Sequence, residues 1–316
     1  MVSGSRPDTP LRVGTRASLL ARTQSEHVAA ALRASLDRDV VLVDVTTDGD
    51  ISSAPLASMG GVGVFVGALR EALLRGEVDV AVHSLKDTPT YALEGVTLAA
   101  VPTREDPRDV VVARDGLTLG ELPAGSTVGT GSPRRAAQIA ALGLGLTIVD
   151  VRGNVDTRVR KVSEGALDAV LLARAGLARI GRLDVVTEAL DPLQMLPAPG
   201  QGALAVECRS DDEFLSDQLR DAVDDAVTRA AVTAERSVLG GLEAGCSAPV
   251  GALAEIAEGD DGDELWVRAV ALSFDGGVVV RRSATGPPDD AVGVGQRLAA
   301  EMLEDGARML IQEGVA

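Results

Sequence analysis

Apolar positions in this chain cluster at two spacings, which alternate over its first two thirds. Short apolar runs bounded by turn-forming residues predict strands at 11–14, 40–45, 78–83, 96–101, 110–113, 127–129, 147–151, 169–173 and 203–207. Between them, apolar residues three and four apart predict helices at 19–34, 65–75, 133–142, 155–163 and 175–180. Pro133 fits the first turn of its helix, where a missing N–H is no loss. The alternation predicts α/β domains with largely parallel sheets. The last third differs. A helix from 225 to 239, strands at 250–256, 264–272 and 278–284, and one long helix over 291–313 predict a small α+β domain.

Two stretches, 103–108 and 196–201, read as crossings between domains. A chain leaving its first lobe at one and returning at the other builds two α/β lobes joined by a two-strand hinge, with a cleft between them. The expected domains are 11–102 with 202–220, then 108–196, then 225–316.

Composition narrows the function. The 316 residues carry a formal charge of −17, which argues against non-specific nucleic-acid binding. Only 2% of residues are aromatic, so cores must be built from Ala, Val and Leu and stacking platforms for single strands are scarce. No apolar run is long enough to span a membrane, and the polar N-terminus lacks a signal-peptide core. A cytoplasmic location with reduced thiols is expected, leaving Cys208 and Cys246 unbridged. With His27 and His83 as the sole histidines, a His/Cys metal cage is not expected.

Against that acidic balance, arginines gather where predicted strands end. Arg16 lies in Arg-Val-Gly-Thr-Arg-Ala-Ser, Arg134 and Arg135 in Gly-Thr-Gly-Ser-Pro-Arg-Arg, Arg152 and Arg158 in Arg-Gly-Asn-Val-Asp-Thr-Arg, and Arg179 after Ala-Gly-Leu-Ala. Guanidinium forks bind carboxylates and phosphates bidentately. In open α/β sheets, ligands bind beyond the carboxyl ends of the strands. Those ends here offer Thr15, Arg16, Ser18, His83, Ser84, Lys86, Asp87, Thr130, Ser132, Arg134, Arg135 and Arg152. A small ligand with several carboxylates and an N–H donor matches that set. Asp87 can accept from such an N–H and stabilise a cation, or it can cap an ordinary turn before Pro89. Cys246, in Leu-Glu-Ala-Gly-Cys-Ser-Ala-Pro, sits on a glycine-flanked loop and reads as an accessible thiol, whereas Cys208 ends a strand and reads as buried. Gly60-Gly-Val-Gly-Val-Phe65 lacks the marks of a phosphate loop and reads as a glycine-rich lid.

Five motifs in order, Ala-Val-His-Ser-Leu-Lys-Asp, Val-Gly-Thr-Gly-Ser-Pro-Arg-Arg, Val-Arg-Gly-Asn-Val-Asp-Thr-Arg, Pro-Gly-Gln-Gly-Ala-Leu and Leu-Glu-Ala-Gly-Cys-Ser-Ala-Pro, resemble the hydroxymethylbilane synthase, or porphobilinogen deaminase, family from about residue 11 to the C-terminus. The resemblance implies two lobes of the type II periplasmic-binding-protein kind and a small C-terminal α+β domain. It implies a transferase of heme and tetrapyrrole biosynthesis, active as a monomer, that condenses four porphobilinogen molecules with loss of ammonia. It implies a dipyrromethane cofactor in thioether linkage to Cys246. Asp87 would be the catalytic carboxylate. Ser84, Lys86, Asp87, Thr130, Ser132, Arg134, Arg135, Arg152 and Gly153 would bind cofactor. Arg16, Ser18, Phe65, Arg152, Arg158, Arg179 and Gln201 would bind substrate. The chain departs from many relatives at Ser58 and Val62, where they carry lysine, so a lid closed by lysine pairing is not carried over.

Two other readings compete. A non-catalytic oxyanion-binding module of periplasmic-binding-protein type leaves Cys246 and the third domain without a role. A Cys/His acyl-transfer enzyme needs Cys246 and His83 to meet.

Overall fold

The computed structural model describes residues 9–45, 63–245, 247–259 and 262–312, with the backbone alone at 63–65 and 312. Ser58, Val62, the first half of the glycine-rich stretch and Cys246 lie outside the described residues, as does the side chain of Phe65. The chain divides into two compact units, Met1–Glu105 with Ala203–Arg229, and Asp106–Gly202 with Ala230–Ala316.

In the first unit, strands β1 (Leu11–Thr15), β2 (Val40–Asp44), β3 (Val80–Ser84), β4 (Val96–Ala100) and β10 (Leu204–Arg209) form one sheet in the order β2-β1-β3-β10-β4. β1 runs parallel to β2 and β3, while β10 runs antiparallel to both its neighbours. Alternate residues serve opposite faces, as the two-residue period of a strand requires. Val80 and Val82 join Leu11, Val13 and Leu204 in one core, while Ala81 packs with Leu69 and Leu73 in another. Helix α1 (Leu19–Ser35) buries Val28, Ala29 and Leu32 against the first face. Helix α2 (Gly63–Leu74) supplies Leu69 and Leu73 to the second. Gly14 is small for a reason: a Cβ there would lie 3.0 Å from Leu69 Cδ2.

The second unit repeats the plan. Strands β5 (Asp109–Ala113), β6 (Thr127–Gly129), β7 (Thr147–Val149), β8 (Ala169–Ala173) and β9 (Glu188–Ala189) order as β7-β6-β8-β5-β9. β6 is parallel to β7 and β8, and β5 is the reversed strand. Each sheet is therefore parallel but for one strand, next to its last. In the first sheet that strand is the latest to arrive along the chain, and in the second it is the earliest. This is what a chain that crosses between lobes twice produces, and it is the two-lobed plan expected from the sequence. Helices α3 (Pro133–Ala141), α4 (Val155–Ser163) and α5 (Arg174–Arg179) follow β6, β7 and β8.

A third sheet, β11 (Val250–Gly259), β12 (Gly262–Leu272) and β13 (Val279–Gly286), is antiparallel throughout. One face packs under α7 (Ala226–Gly241) and α8 (Ala291–Glu304). Its other face joins this sheet to the second lobe, because Leu253, Val270 and Leu272 bury against Ala137 and Leu196. The single helix expected over 291–313 is two, α8 and α9 (Ala307–Gln312). Gly306, at φ +91°, takes the left-handed turn that stops the first. Helix α6 (Glu213–Val223), capped by Asp212 accepting from the Leu215 N–H, and the two-residue β9 were not foreseen. Among the described residues no helix is long and apolar enough to cross a membrane.

Candidate functional site

In the first unit the expected residues stand at the carboxyl ends of β1 and β3. Thr15 is buried at the end of β1, and Arg16 and Ser18 follow it half-buried. Ser18 caps α1 by accepting from the Ala21 N–H at 3.3 Å. Beyond β3, Ser84 leads into a single 3-10 turn, Leu85–Asp87. That turn is held at both ends. The Leu85 N–H donates to the Ala203 carbonyl at 3.0 Å, and the Thr88 hydroxyl donates to the Leu85 carbonyl at 2.7 Å. The backbone is fixed while the Asp87 side chain is exposed, with Lys86 half-buried beside it.

The strand leading into the turn carries one member of a buried ionic group, His83. Arg70 of α2 donates Nε and Nη2 to the two oxygens of Glu207 on β10, at 2.9 and 2.6 Å. His83 Nε2 is 3.3 Å from the same carboxylate. Burial alone would raise the Glu207 carboxyl, but Arg70 and His83 outweigh it and hold it down at about 2. His83 is thus a packed histidine. Cys208 is fully buried, and that burial pushes its thiol up to about 11, which disqualifies it as a nucleophile.

In the second unit the residues gather after β6 and β7, adjacent parallel strands. The Thr130 N–H donates to Val149, and the Thr130 hydroxyl accepts from the Ser132 N–H at 3.1 Å. Ser132 caps α3, with Pro133 in its first turn, and Asn154 caps α4. The two loops touch: a Cβ on Gly131 would lie 2.9 Å from the Val151 carbonyl. Gly153 must be glycine, since its φ is +107° and a Cβ would lie 2.9 Å from Thr157. Two helix N-termini, each favouring negative charge, therefore open beside these arginines.

The arginines themselves divide. Arg152 is exposed, with Nε 3.3 Å from Asp150. Arg158 donates to the Gly153 carbonyl at 2.9 Å. Burial holds its guanidinium below the usual value, and the like charges of Arg135 and Arg152 hold it lower, with Asp150 in part opposing. Cations pressing on one another in this way invite an anion. Arg134 and Arg135 lie deeper, both buried and both paired with Asp109, which is fully buried itself. Burial would raise the Asp109 carboxyl, but the two arginines hold it well below the usual carboxylate range. Arg179 donates to the Gly202 carbonyl at 2.6 Å. Gln201, expected at the substrate, is fully buried, and its amide donates to the Pro107 carbonyl and to Asp109.

Comparison with known proteins bears on this arrangement directly. A family model described as "Porphobilinogen deaminase, dipyromethane cofactor binding domain" matches residues 11–217, and one described as "Porphobilinogen deaminase, C-terminal domain" matches 229–304. The chain belongs to the porphobilinogen deaminase family. A porphobilinogen deaminase of Nocardia farcinica is 58% identical over 98% of this chain and 90% of its own length. One from Mycobacterium tuberculosis is 60% identical over 95% of this chain and 98% of its own length. Among solved structures, a substrate-binding domain of a putative amino-acid ABC transporter from Streptococcus pneumoniae aligns at 13% identity, covering 68% of this chain and 91% of its own, with a TM-score of 0.42, too loose a likeness to argue from. The relatives match through the C-terminal region as well, which the reading as a bare binding module left without a role.

The residues of the second lobe fit the deaminase family's dipyrromethane. Its acetate and propionate groups need several cations and hydroxyls close together; Thr130, Ser132 and Arg152 stand on touching loops, and Arg158 stands on the helix that follows Arg152. Asp109 was missed in the sequence because it abuts the apolar run Val110–Ala113 and was passed over at the strand's start. A lone acid entering a fully buried strand, in a domain rich in arginine, is the signal that was available.

Proposed function

We propose that this chain is a transferase that joins four porphobilinogen molecules head to tail, releasing ammonia at each addition, to give linear hydroxymethylbilane. We further propose that it works as a cytoplasmic monomer. When bound, dipyrromethane supplies the primer from which the pyrrole chain grows, and Cys246 is the residue proposed to carry it as a thioether. The observation that carries the reading is the placement of Thr130, Ser132 and Arg152 on two touching loops, with Arg158 on the helix that follows, at two helix N-termini in an otherwise acidic chain. Each added pyrrole brings two carboxylates, and a charge-assisted hydrogen bond contributes roughly 1.5–3 kcal/mol net.

The chain's own residues divide the work. Arg152, Arg158, Thr130 and Ser132 hold carboxylates in the second lobe. Arg16, Ser18 and Lys86 do so in the first. Asp87 stands at the end of a braced turn, free to accept from a pyrrole N–H. As ammonia departs, positive charge spreads to that N–H, and a fixed carboxylate lowers the barrier electrostatically. The substrate's aminomethyl group, carried as an ammonium, already holds the proton with which it leaves as ammonia, so the carboxylate need supply none.

The test is the purified chain itself. Intact-protein mass should exceed the sequence mass by two pyrrole units, and incubation with porphobilinogen should release ammonia and form hydroxymethylbilane. A protein of bare sequence mass that leaves porphobilinogen untouched defeats the reading.

A further inference from the structure

The carboxylate of Asp109 is shared by three side chains from two places in the chain. Its Oδ2 accepts from Arg134 Nη1 at 2.7 Å. Its Oδ1 accepts from Arg135 Nε and Nη2 at 3.1 and 2.7 Å and from Gln201 Nε2 at 2.8 Å. The same donors reach backbone carbonyls: Arg134 to Leu196 at 2.6 Å, Arg135 to Leu171 at 3.1 Å, and Gln201 to Pro107 at 2.6 Å. Asp109 and Gln201 are fully closed to solvent.

One acid against two guanidiniums leaves an excess positive charge in this buried place. Arg134 Nε is buried there without a hydrogen-bond partner. The charge of Arg135 also acts on Arg158. Asp109 begins β5, just after the chain enters the second lobe at 106, and Gln201 lies just before it leaves at 202. A long flexible arginine reaches a ligand in one direction only if something holds its fork, and here the holder is tied to both crossing segments.

We infer that Asp109 and Gln201 are positioning residues for the reaction proposed above: they set the directions in which Arg134 and Arg135 present their remaining donors to the cofactor's carboxylates. The inference rests on that functional reading. Asp109 touches no ligand in this scheme and acts through the arginines. Gln201 acts through Asp109 and through the Pro107 carbonyl.

The experiment compares wild type, Asp109→Asn and Gln201→Leu, each purified as expressed. Circular dichroism and thermal unfolding report the fold, intact mass reports the bound dipyrromethane, and steady-state kinetics report KM and kcat. Asp109→Asn should fold yet lack most of the two-pyrrole mass. Gln201→Leu should keep that mass, with KM raised about tenfold and kcat changed less than about threefold, the split expected when orientation of a binding group is lost. A purely structural role would lower the unfolding midpoint and leave mass and KM alone. If Asp109→Asn folds with its full cofactor mass and both variants keep wild-type KM, the inference falls. If Asp109→Asn does not fold, Gln201→Leu decides: a raised KM supports the inference, and a wild-type KM overturns it. Failure of the functional reading shows separately, as wild type without pyrrole mass or activity.

Discussion

Arg70 and Glu207 lie 137 residues apart in sequence, yet Arg70 forks onto both carboxylate oxygens of Glu207 inside the first unit. Both side chains are nearly closed to solvent, at 9% and 4% exposure, so water does little to screen them. The pair fastens the helix after the glycine-rich stretch to the strand that returns from the second lobe. Breaking such a pair from one side leaves the other charge stranded, which costs far more than an exposed pair would.

That pair makes stability depend on pH. The Glu207 carboxyl sits at about 2 in the fold, against an ordinary 4.5. A depressed folded-state pKa contributes stability that is complete above about 4.5 and disappears as pH falls toward 2, a contribution on the order of 3 kcal/mol. The unfolding midpoint should fall across that window. Glu207→Gln should lower the midpoint at neutral pH and flatten its slope below pH 4.5. Parallel curves for the two proteins would show that other carboxylates carry the acid sensitivity.

Asp87 should be the residue on which the chemistry turns. Asp87→Asn keeps the shape and removes the charge, and should be nearly inactive. Asp87→Glu keeps the charge and displaces it, which costs about a hundredfold through misplacement. Both should fold, because the turn is held through Leu85 and Thr88 rather than through the Asp87 side chain. Single-turnover ammonia release is the measurement, and near wild-type release by the Asn variant would remove Asp87 from the mechanism.

The two cysteines should separate cleanly. Cys246→Ala should lose both the added mass and activity. Cys208→Ala should keep both, with stability lower by about 1 kcal/mol for the atom removed from a packed core. Mass spectrometry of the two variants settles the assignment.

Gly295 sits where α8 crosses α7. A Cβ there would lie 2.6 Å from Ser237 Cβ and closer still to the Ala234 carbonyl oxygen. Alanine is the better helix former by about 1 kcal/mol, but overpacking typically costs roughly 1–3 kcal/mol. The clash should win, so Gly295→Ala should lower the unfolding midpoint by a few degrees. A raised midpoint would show that the crossing relaxes freely.

The arginines should differ by depth. Arg135→Leu strips Asp109 Oδ1 of two donors and should yield a destabilised protein poor in cofactor. Arg16→Leu, at a half-buried position in the other unit, should be isolated with its cofactor and turn over poorly. Intact mass and steady-state rates on both variants check the division, and an Arg16→Leu protein fully active at low porphobilinogen contradicts it.

Strands and helices of the lobes were legible because burial on both sheet faces writes long apolar runs such as Val110–Ala113, and because Ser132-Pro133 and Asn154 mark helix starts. The exposed and half-buried candidate residues, Asp87, Lys86, Arg152 and Arg158, were picked out as polar residues breaking out at strand ends. What the sequence hid was pairing over distance. Nothing local distinguishes Arg134, which meets Asp109 in the interior, from Arg152, which meets solvent and Asp150. Gln201 looked like a ligand residue for the same reason, since its partners Pro107 and Asp109 lie 94 and 92 residues away. The break at Gly306 was missed because apolar spacing continues across it, although a glycine after a helical run is itself a stop signal.

The place of β10 between β3 and β4 also sets an order of events during synthesis. The first lobe lacks its inner reversed strand until residue 209 has left the ribosome, by which time all five strands of the second lobe's sheet have been made. Until then the edges of β3 and β4 that will receive it carry unpaired backbone groups, an invitation to wrong partners. The nascent chain therefore completes its inserted lobe before its first, and shortened chains ending within the second lobe should aggregate rather than persist as a half-enzyme.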